Sequence, residues 1–261
     1  MNRPWDTRQY AKTASLQARA AADLLAALAI RPDEKILDFG CGMGNLTLEI
    51  AEIAHQGSVV GIDTSLSMIE QAKRNLRVRR LPNVEFLVAT AADLRTDGSF
   101  DVVFSNSVLH WIKDQPRVLR ALHQLLKSGG RLGFQFPLLD AAHPLISACQ
   151  KAIDALGLAP RYSGWTFPWY VPESADGYAD LLREASFRKV AVTRHETRFI
   201  FASASAARGF FDAVGLDLIS RPLAPGEAGA FREEVHRILA SLDTGEGVRL
   251  DFSRLYACAV A

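Results

Sequence analysis

The sequence predicts an α/β protein: a doubly wound sheet, mostly parallel, with an antiparallel hairpin at its edge and a helical and aromatic cap. Three observations predict it. Between Lys35 and Phe136, short apolar runs of strand length alternate with amphipathic helical segments. The first of these runs breaks into the glycine turn Gly40-Cys41-Gly42-Met43-Gly44 directly before a helical pattern. Further on, two β-patterned segments, Lys189 to Phe201 and Val248 to Val260, flank a helical stretch and are suited to antiparallel pairing at the sheet edge.

Apolar residues at helical spacing from Leu16 to Ile30, stopped by Pro32, predict a leading helix. Strands then follow at Lys35 to Phe39, Ser58 to Ile62 and Val84 to Val88, with helices at Asn45 to Ala54 and Ser67 to Leu76 between them. A strand at Asp101 to Ser105, a helix at Gln115 to Leu126 ended by Gly129-Gly130, and a strand at Arg131 to Phe136 continue the alternation. Right-handed crossovers bring the C-terminal ends of parallel strands to one edge, so the residues after Phe39, Ile62, Val88 and Ser105 are expected around one crevice. Beyond it come helices at His143 to Leu156, Ala175 to Ala185, Ser205 to Gly215 and Gly226 to Leu242, and an aromatic stretch from Arg161 to Tyr170. The whole chain, 1–261, is expected to be one domain, with 138–175 and 203–247 as cap insertions over the crevice.

Composition narrows the function classes. Apolar residues make up 49% and charged residues 23%, an ordinary globular balance, and the net charge of +1 gives no electrostatic case for nucleic acid or an anionic membrane as partner. The basic run Lys73 to Arg80 falls late in a helix, where Arg74, Arg77, Arg79 and Arg80 complement the dipole and solvate a face. Cys41, Cys149 and Cys258 are far apart, odd in number and without metal-ligand spacing, so they are expected to be free thiols in a reducing compartment, with no metal. Neither a secretory signal nor a membrane-spanning apolar stretch is evident, which makes the cytoplasm the expected location.

The chemistry concentrates after the first strands. Glycines at 40, 42 and 44 let the backbone turn tightly beside a ligand while the next helix presents unpaired N–H groups. Asp38, just before the turn, can attract a ligand amino group or orient the loop, and it would repel a pyrophosphate. Asp63 ends the second strand, where it can accept from both hydroxyls of a ribose or cap the next helix; Thr64 follows it. Met68 and Ile69 can sandwich an adenine or simply pack the core. In Ala92-Asp93-Leu94, Asp93 can accept from the exocyclic amine of that base or serve as a turn aspartate. Ser105 and Asn106 leave the fourth strand at the centre of the crevice.

Taken together, Asp38-Phe39-Gly40-Cys41-Gly42-Met43-Gly44, Asp63, Asp93, Phe100 to Asn106 and Leu125-Leu126-Lys127-Ser128-Gly129-Gly130 resemble the motifs of class I S-adenosylmethionine-dependent methyltransferases. The resemblance covers residues 30 to 137 and implies a Rossmann-like fold with S-adenosyl-L-methionine as cofactor. Tyr10 to Gln17 and Asn106-Ser107-Val108-Leu109-His110-Trp111 are similar to a branch containing trans-aconitate, malonyl-carrier-protein and juvenile-hormone-acid methyltransferases, all of which esterify carboxylates. That branch implies Tyr10 and Gln17 as lid contacts to the cofactor. The segment Trp165-Thr166-Phe167-Pro168-Trp169-Tyr170 departs from its pattern.

A carboxylate acceptor is already anionic near neutrality and needs no general base, so the expected activity is O-methylation of a small or lipid-like organic acid to its methyl ester. His110 faces the expected crevice as an orienting group, as a base, or as a structural histidine. Trp111, Tyr162, Trp165, Trp169 and Tyr170 are candidate walls of an acceptor pocket or packing of the cap, and Arg161 is the candidate clamp for the acid, with Arg198, Arg249 and Arg254 as alternatives. Methylation of nitrogen, phenolic oxygen or carbon on a small metabolite stays open, as does a noncatalytic cofactor-binding module. The expected partner is a small-molecule acceptor, and the oligomeric state is left open.

Overall fold

A computed structural model describes the backbone of residues 14–94 and 99–261 and the side chains of 21–94 and 99–261. A leading helix α1 (Ala14–Leu28) precedes β1 (Lys35–Phe39), α2 (Asn45–Ile53), β2 (Ser58–Asp63), α3 (Leu66–Arg79), β3 (Val84–Val88) and β4 (Phe100–Asn106). Then come α4 (Gln115–Leu125), β5 (Leu126–Pro137), α5 (Pro144–Ala155), α6 (Ala175–Glu184), β6 (Arg188–Phe201), α7 (Ala204–Val214), the short α8 (Leu216–Ile219), α9 (Pro225–Ala240) and β7 (Val248–Val260). The strands form one seven-stranded sheet in the order β3-β2-β1-β4-β5-β7-β6. Strands β1 to β5 are parallel, and β7 runs antiparallel to both β5 and β6.

The residues account for these elements. Strands β1 and β4 are covered on both faces and are almost wholly buried, as their unbroken apolar runs require. Helix α3 starts at Ser65, whose hydroxyl accepts from the Met68 amide; α4 starts at Asp114, which accepts from Arg117 N, with Pro116 in the first turn. Val118, Leu119, Leu122 and Leu125 form the buried face of α4. The two last strands pair as expected, in a hairpin register that sets Val192 opposite Ala257. Within that hairpin β7 is the inner strand, and β6 is the edge, guarded by the exposed charges Arg194, Glu196 and Arg198. Two details differ from the sequence reading. Gly215, at φ 138°, splits off α8, and β5 begins at Leu126, where Lys127 is tied to Asp101 at 2.8 Å.

The chain order reverses at β1 and β4, since β2 and β3 extend the sheet one way and β5 the other, and a crevice opens there. One face of the sheet packs against α4 and α6, the other against α1 and α2. A separate apolar cluster joins α5, α7, α8 and α9 to the Phe201 end of β6 and the Val248 end of β7, with the aromatic stretch packed against it. Among the described residues no helix is long and apolar enough to cross a membrane, and no group of His, Cys, Asp and Glu is placed to hold a metal ion.

Glu34 joins three parts of this framework. It is buried, and its carboxylate takes a two-pronged bond from Arg131 (2.9 and 2.8 Å) and one from the Arg31 amide (2.8 Å), while Arg131 Nε donates to the Leu28 carbonyl. Burial by itself would raise this carboxyl, but the bonds from Arg131 and the Arg31 amide and both guanidinium charges outweigh it and hold it below the ordinary range. A depressed folded-state pKa contributes stability above the ordinary value that is lost as pH falls through the folded one. Glu34→Gln is therefore expected to cost about 1–3 kcal/mol in urea unfolding at pH 7, the stranded Arg131 keeping some access to water. The gap to the unsubstituted protein should narrow on acidification below about pH 4.

Candidate active site

The loop after β1 is bonded to the tip of β2. Gly40 N and Cys41 N both donate to the Ile62 carbonyl (2.8 and 2.9 Å), and Gly42 N donates to Asp63 Oδ2 (3.1 Å). Gly40 has φ +79°, and a Cβ there would lie 2.2 Å from Val108 Cγ2, so only glycine lets the loop approach the segment after β4 this closely. Gly42, at φ +53°, lines a cavity, and a Cβ on it would meet no protein atom within 4 Å. Gly44 is packed against Phe86 and Ala72, and Cys41 is half-buried in the loop; neither is on the cavity wall.

Of the three expected acids, one faces the cavity. Asp63 lines it together with Thr64, its Oδ1 accepting from Ser65 N at 2.8 Å while Oδ2 holds Gly42; burial raises its carboxyl above the ordinary range despite these bonds. Asp38 lies beneath the loop, buried, with its carboxyl accepting from the Thr47 hydroxyl at 2.6 Å. Burial pushes it up to about 7, the Thr47 bond opposing and the charge of Asp63 adding. Asp93 turns back on its own segment: one oxygen takes both the amide and the hydroxyl of Thr90 at 2.7 Å, which lowers its pKa, and the side chain is exposed. Ala92, Asp93 and Leu94 do not line the cavity, whose wall at this strand is Ala89. Met68 does line it.

The segment after β4 is held from several sides. Ser105 is turned away, its hydroxyl donating to the Phe39 carbonyl (2.8 Å), whereas Asn106 and Ser107 line the cavity. Gln135 Nε2 donates to Asn106 Oδ1 and to Ser107 Oγ, and Ser107 N, at the left-handed φ of 62°, donates to the Gln135 carbonyl (2.7 Å). Gln135 Oε1 accepts from Arg254 Nε at 2.5 Å, and Arg254 Nη2 donates to Ser107 Oγ at 2.6 Å. His110 sits in the turn Leu109–Trp111, whose carbonyls at Leu109 and Ile112 accept from Gln115 Nε2; Tyr170 N donates to the His110 carbonyl at 2.7 Å. The His110 ring is buried on the cavity wall, its Nδ1 makes no hydrogen bond, and burial first, then the charges of Arg254 and His143, drive it down to about 3. His143, the N-cap of α5, accepts from Leu145 N on Nδ1 and is likewise lowered to about 3 by burial and Arg254. Both imidazoles are neutral near pH 7.

The cavity encloses about 520 Å³. Opposite the glycine loop its wall is apolar: Leu139, Leu145, Trp169, Phe210, Val214 and Phe252, with Trp111 edge-on to Trp169 at 5.6 Å. The aromatic stretch thus contributes Trp169 alone. Tyr162 donates to the Ile219 carbonyl (3.0 Å) and packs edge-on to Trp165, and Tyr170 packs against Tyr178; none of these three lines the cavity, because the second apolar cluster and the Tyr178 side of the sheet absorb them. Arg161 is a surface residue paired with Glu227 at 2.7 Å and is absent from the cavity wall. Arg198 and Arg249 are exposed and paired with Asp251 and Glu246. The arginine on the wall is Arg254, which alternation along β7 places on the same face as Phe252. Tyr10 and the Gln17 side chain lie outside the described residues. Gln115, Gln135 and His143 were not singled out by sequence; the one available signal was a polar residue inside an apolar helix or strand pattern.

A reversed α/β sheet with an acidic glycine loop and a ribose-height aspartate on its crevice defines a nucleoside-binding enzyme fold. A family model described as "Methyltransferase domain" matches residues 30–154. Trans-aconitate 2-methyltransferase of Methylobacterium radiotolerans is 31% identical over 258 residues, covering 97% of this chain and 94% of that protein. The protein of the same name from Deinococcus radiodurans is 35% identical over 55% of this chain and 54% of its own length. In fold, the chain is similar to the YcgJ protein from Bacillus subtilis, with a TM-score of 0.63 at 16% identity over 93% of this chain and 98% of that one. The chain belongs to the class I S-adenosylmethionine-dependent methyltransferases, and S-adenosylmethionine is its cofactor. The residues fit this group: Asp63 on the cavity wall and Asp38 beneath the same loop are acids that suit a cationic, hydroxyl-bearing ligand and would repel a pyrophosphate.

Because Arg161 is spent on an exposed ion pair, Arg161→Ala should leave methyl-transfer kinetics within about twofold and stability within about 1 kcal/mol of the unsubstituted protein. Steady-state assay and urea unfolding of the variant check both.

Proposed function

We propose that the enzyme O-methylates the carboxylate of a small organic acid. The observation that carries this is the setting of the two cavity histidines: His110 and His143 are buried on the wall, His110 Nδ1 has no hydrogen-bonded group to support it as a base, and burial with the Arg254 charge lowers both imidazoles, which disfavours taking a proton from a phenol or an ammonium. A carboxylate asks for no such base, and the buried guanidinium of Arg254 on the same wall suits an anionic acceptor. The name of the nearly full-length relative, trans-aconitate 2-methyltransferase, supports the same class. When bound, S-adenosylmethionine supplies a methyl group on a sulfonium: the acceptor oxygen forms the C–O bond, the electrons of the broken S–C bond stay on sulfur, and no proton has to move.

The protein's part is then to bind, align and exclude water. Asp63 would accept from the ribose hydroxyls, Thr64 and Met68 would flank the base, Gly40 and Gly42 would let the methionyl end lie against the loop, and Asn106 would border the reacting centre. Asp38 would act from beneath, through the loop and Thr47. His110 would orient the acceptor, with Gln115 holding its turn.

His110→Gln is expected to slow single-turnover methyl transfer by about tenfold, the loss of one orienting bond of about 1–2 kcal/mol, with no basic limb between pH 6 and 9 in either protein. A loss beyond about a thousandfold with disappearance of such a limb would replace this mechanism by nitrogen or phenolic methylation. Asp63→Asn loses the charge and leaves one acceptor oxygen for Gly42 N and Ser65 N, which the carboxylate serves with one oxygen each, and should weaken cofactor binding by about 10- to 100-fold in calorimetric titration. Since burial raises Asp63, affinity of the unsubstituted protein should begin to fall, as pH is lowered, above the ordinary carboxylate range.

A further inference from the structure

The hydrogen bonds that join β4, β5 and β7 have a direction, and it is fixed at the arginine end. Arg254 can only donate, so the contact from its Nε at 2.5 Å obliges Gln135 to present Oε1. The amide nitrogen of Gln135 is thereby turned the other way, where it donates to Asn106 Oδ1 and, at 3.3 Å, to Ser107 Oγ. Flipping the amide would set its nitrogen against the guanidinium, so the network admits one orientation. Arg254 Nη2 donates to the same Ser107 oxygen at 2.6 Å. Gln135 and Arg254 are both buried, which keeps water from competing for these bonds.

The consequence falls on Ser107. A hydroxyl has two lone pairs and one proton, and here both lone pairs are taken by groups that cannot accept. The hydroxyl is left to act as a donor, and among the described residues no group takes its proton. Ser105, two residues earlier, differs: its proton goes to the Phe39 carbonyl. Ser107 is half-buried on the cavity wall, directly after Asn106 at the end of β4. Its backbone is held at φ 62° by the bond from its amide to the Gln135 carbonyl, so a side chain is kept where glycine would sit with less strain. A guanidinium donating to the oxygen strengthens the hydroxyl as a donor, and its natural counterpart is an anionic oxygen. We infer that Ser107 binds the acceptor by donating this proton to its carboxylate, with Gln135 and Arg254 as the positioning residues that set the direction. This rests on the carboxylate reading above and names a group that meets the acid. The carboxylate loses its charge as the ester forms, so the bond is stronger to the bound acid than to the transition state and contributes to acceptor binding instead of bond making. The methionyl carboxylate of the cofactor offers the same chemistry, and the test separates the two.

The full chain is assayed with methyl-labelled S-adenosylmethionine on trans-aconitate, octanoate, 4-phenylbutyrate, octylamine and 4-propylphenol, and the acid with the highest kcat/KM is carried forward. Its Kd is also measured by calorimetric titration into the complex with S-adenosylhomocysteine. Ser107→Gly removes the hydroxyl at a φ that glycine adopts freely, whereas Ser107→Asn, a residue that tolerates the left-handed region, returns both an oxygen and an N–H donor. Ser107→Gly is expected to raise the KM and Kd of the acid by about tenfold or more, with kcat and cofactor Kd each within about twofold, and Ser107→Asn to recover most of that loss. Ser107→Cys, which keeps the size but donates weakly, carries the same expectation where glycine loosens the segment. Unchanged acceptor KM and Kd in these variants would overturn the assignment. So would a weakened cofactor Kd with the acceptor unaffected, which hands the bond to the methionyl carboxylate, and so would a loss that Ser107→Asn fails to reduce, which marks the hydroxyl as structural only. Product from the amine or the phenol with every acid inert would overturn the carboxylate reading itself, and failure of every acid both to react and to bind the S-adenosylhomocysteine complex counts against both.

Discussion

The loop after β1 carries more backbone donors than it can satisfy within itself, and the tip of β2 supplies the acceptors. The Ile62 carbonyl takes two amides and the Asp63 carboxylate a third, so the glycine turn is anchored to the neighbouring strand before any ligand arrives. The rest of the site is built against that anchor. Val108 closes onto Gly40, Phe86 and Ala72 onto Gly44, and Asn75 of α3 donates to the Met43 carbonyl, so movement of the loop would disturb β3, α3 and the segment after β4 together. The same carboxylate that organises the loop also faces the cavity, so one group sets both the loop geometry and the charge of that wall.

On the other side of the crevice a second network does the corresponding work with amides. Gln135 in β5 holds Asn106 and Ser107 with its nitrogen and Arg254 with its oxygen, joining three strands through one buried side chain. Gln115 does the same for the His110 turn and also accepts from the Tyr178 hydroxyl. Neutral amides can donate and accept at once without the cost of burying a charge, which suits buried positions that must bridge several strands and turns. Among the described residues that line the cavity, the charged side chains are Asp63 at the glycine loop and Arg254 on β7, and the imidazoles of His110 and His143 are neutral.

Most of the parallel sheet and the cofactor loop were legible in the sequence because they depend on local signals. Lys35 to Phe39, Val84 to Val88 and Val248 to Val260 agree residue for residue with the observed strands, since apolar runs of strand length bounded by turn residues leave little choice. Gly40, Gly42, Asp63, Thr64, Met68, Asn106, His110 and Trp111 come to one cavity because strand polarity alone carries them to the same edge. Asp93 and Ser105 look equivalent in sequence, yet a neighbouring Thr90 and a facing carbonyl take up their polar atoms.

The apolar wall and its arginine are a different matter. Arg161 stands in the most aromatic stretch of the chain and Arg254 in an ordinary strand, and nothing local distinguishes a guanidinium that will meet Glu227 at the surface from one that will be buried. The sequence by itself determined the sheet, its hairpin, the glycine loop and the acids at strand ends, because periodicity, turn chemistry and handedness act over a few residues. Only the tertiary structure decided which aromatic, which histidine and which arginine share the cavity. Those choices depend on contacts between segments more than a hundred residues apart, as in the bond from Arg254 to Gln135, and on the packing of α5 and α7 against the hairpin, which no local pattern encodes.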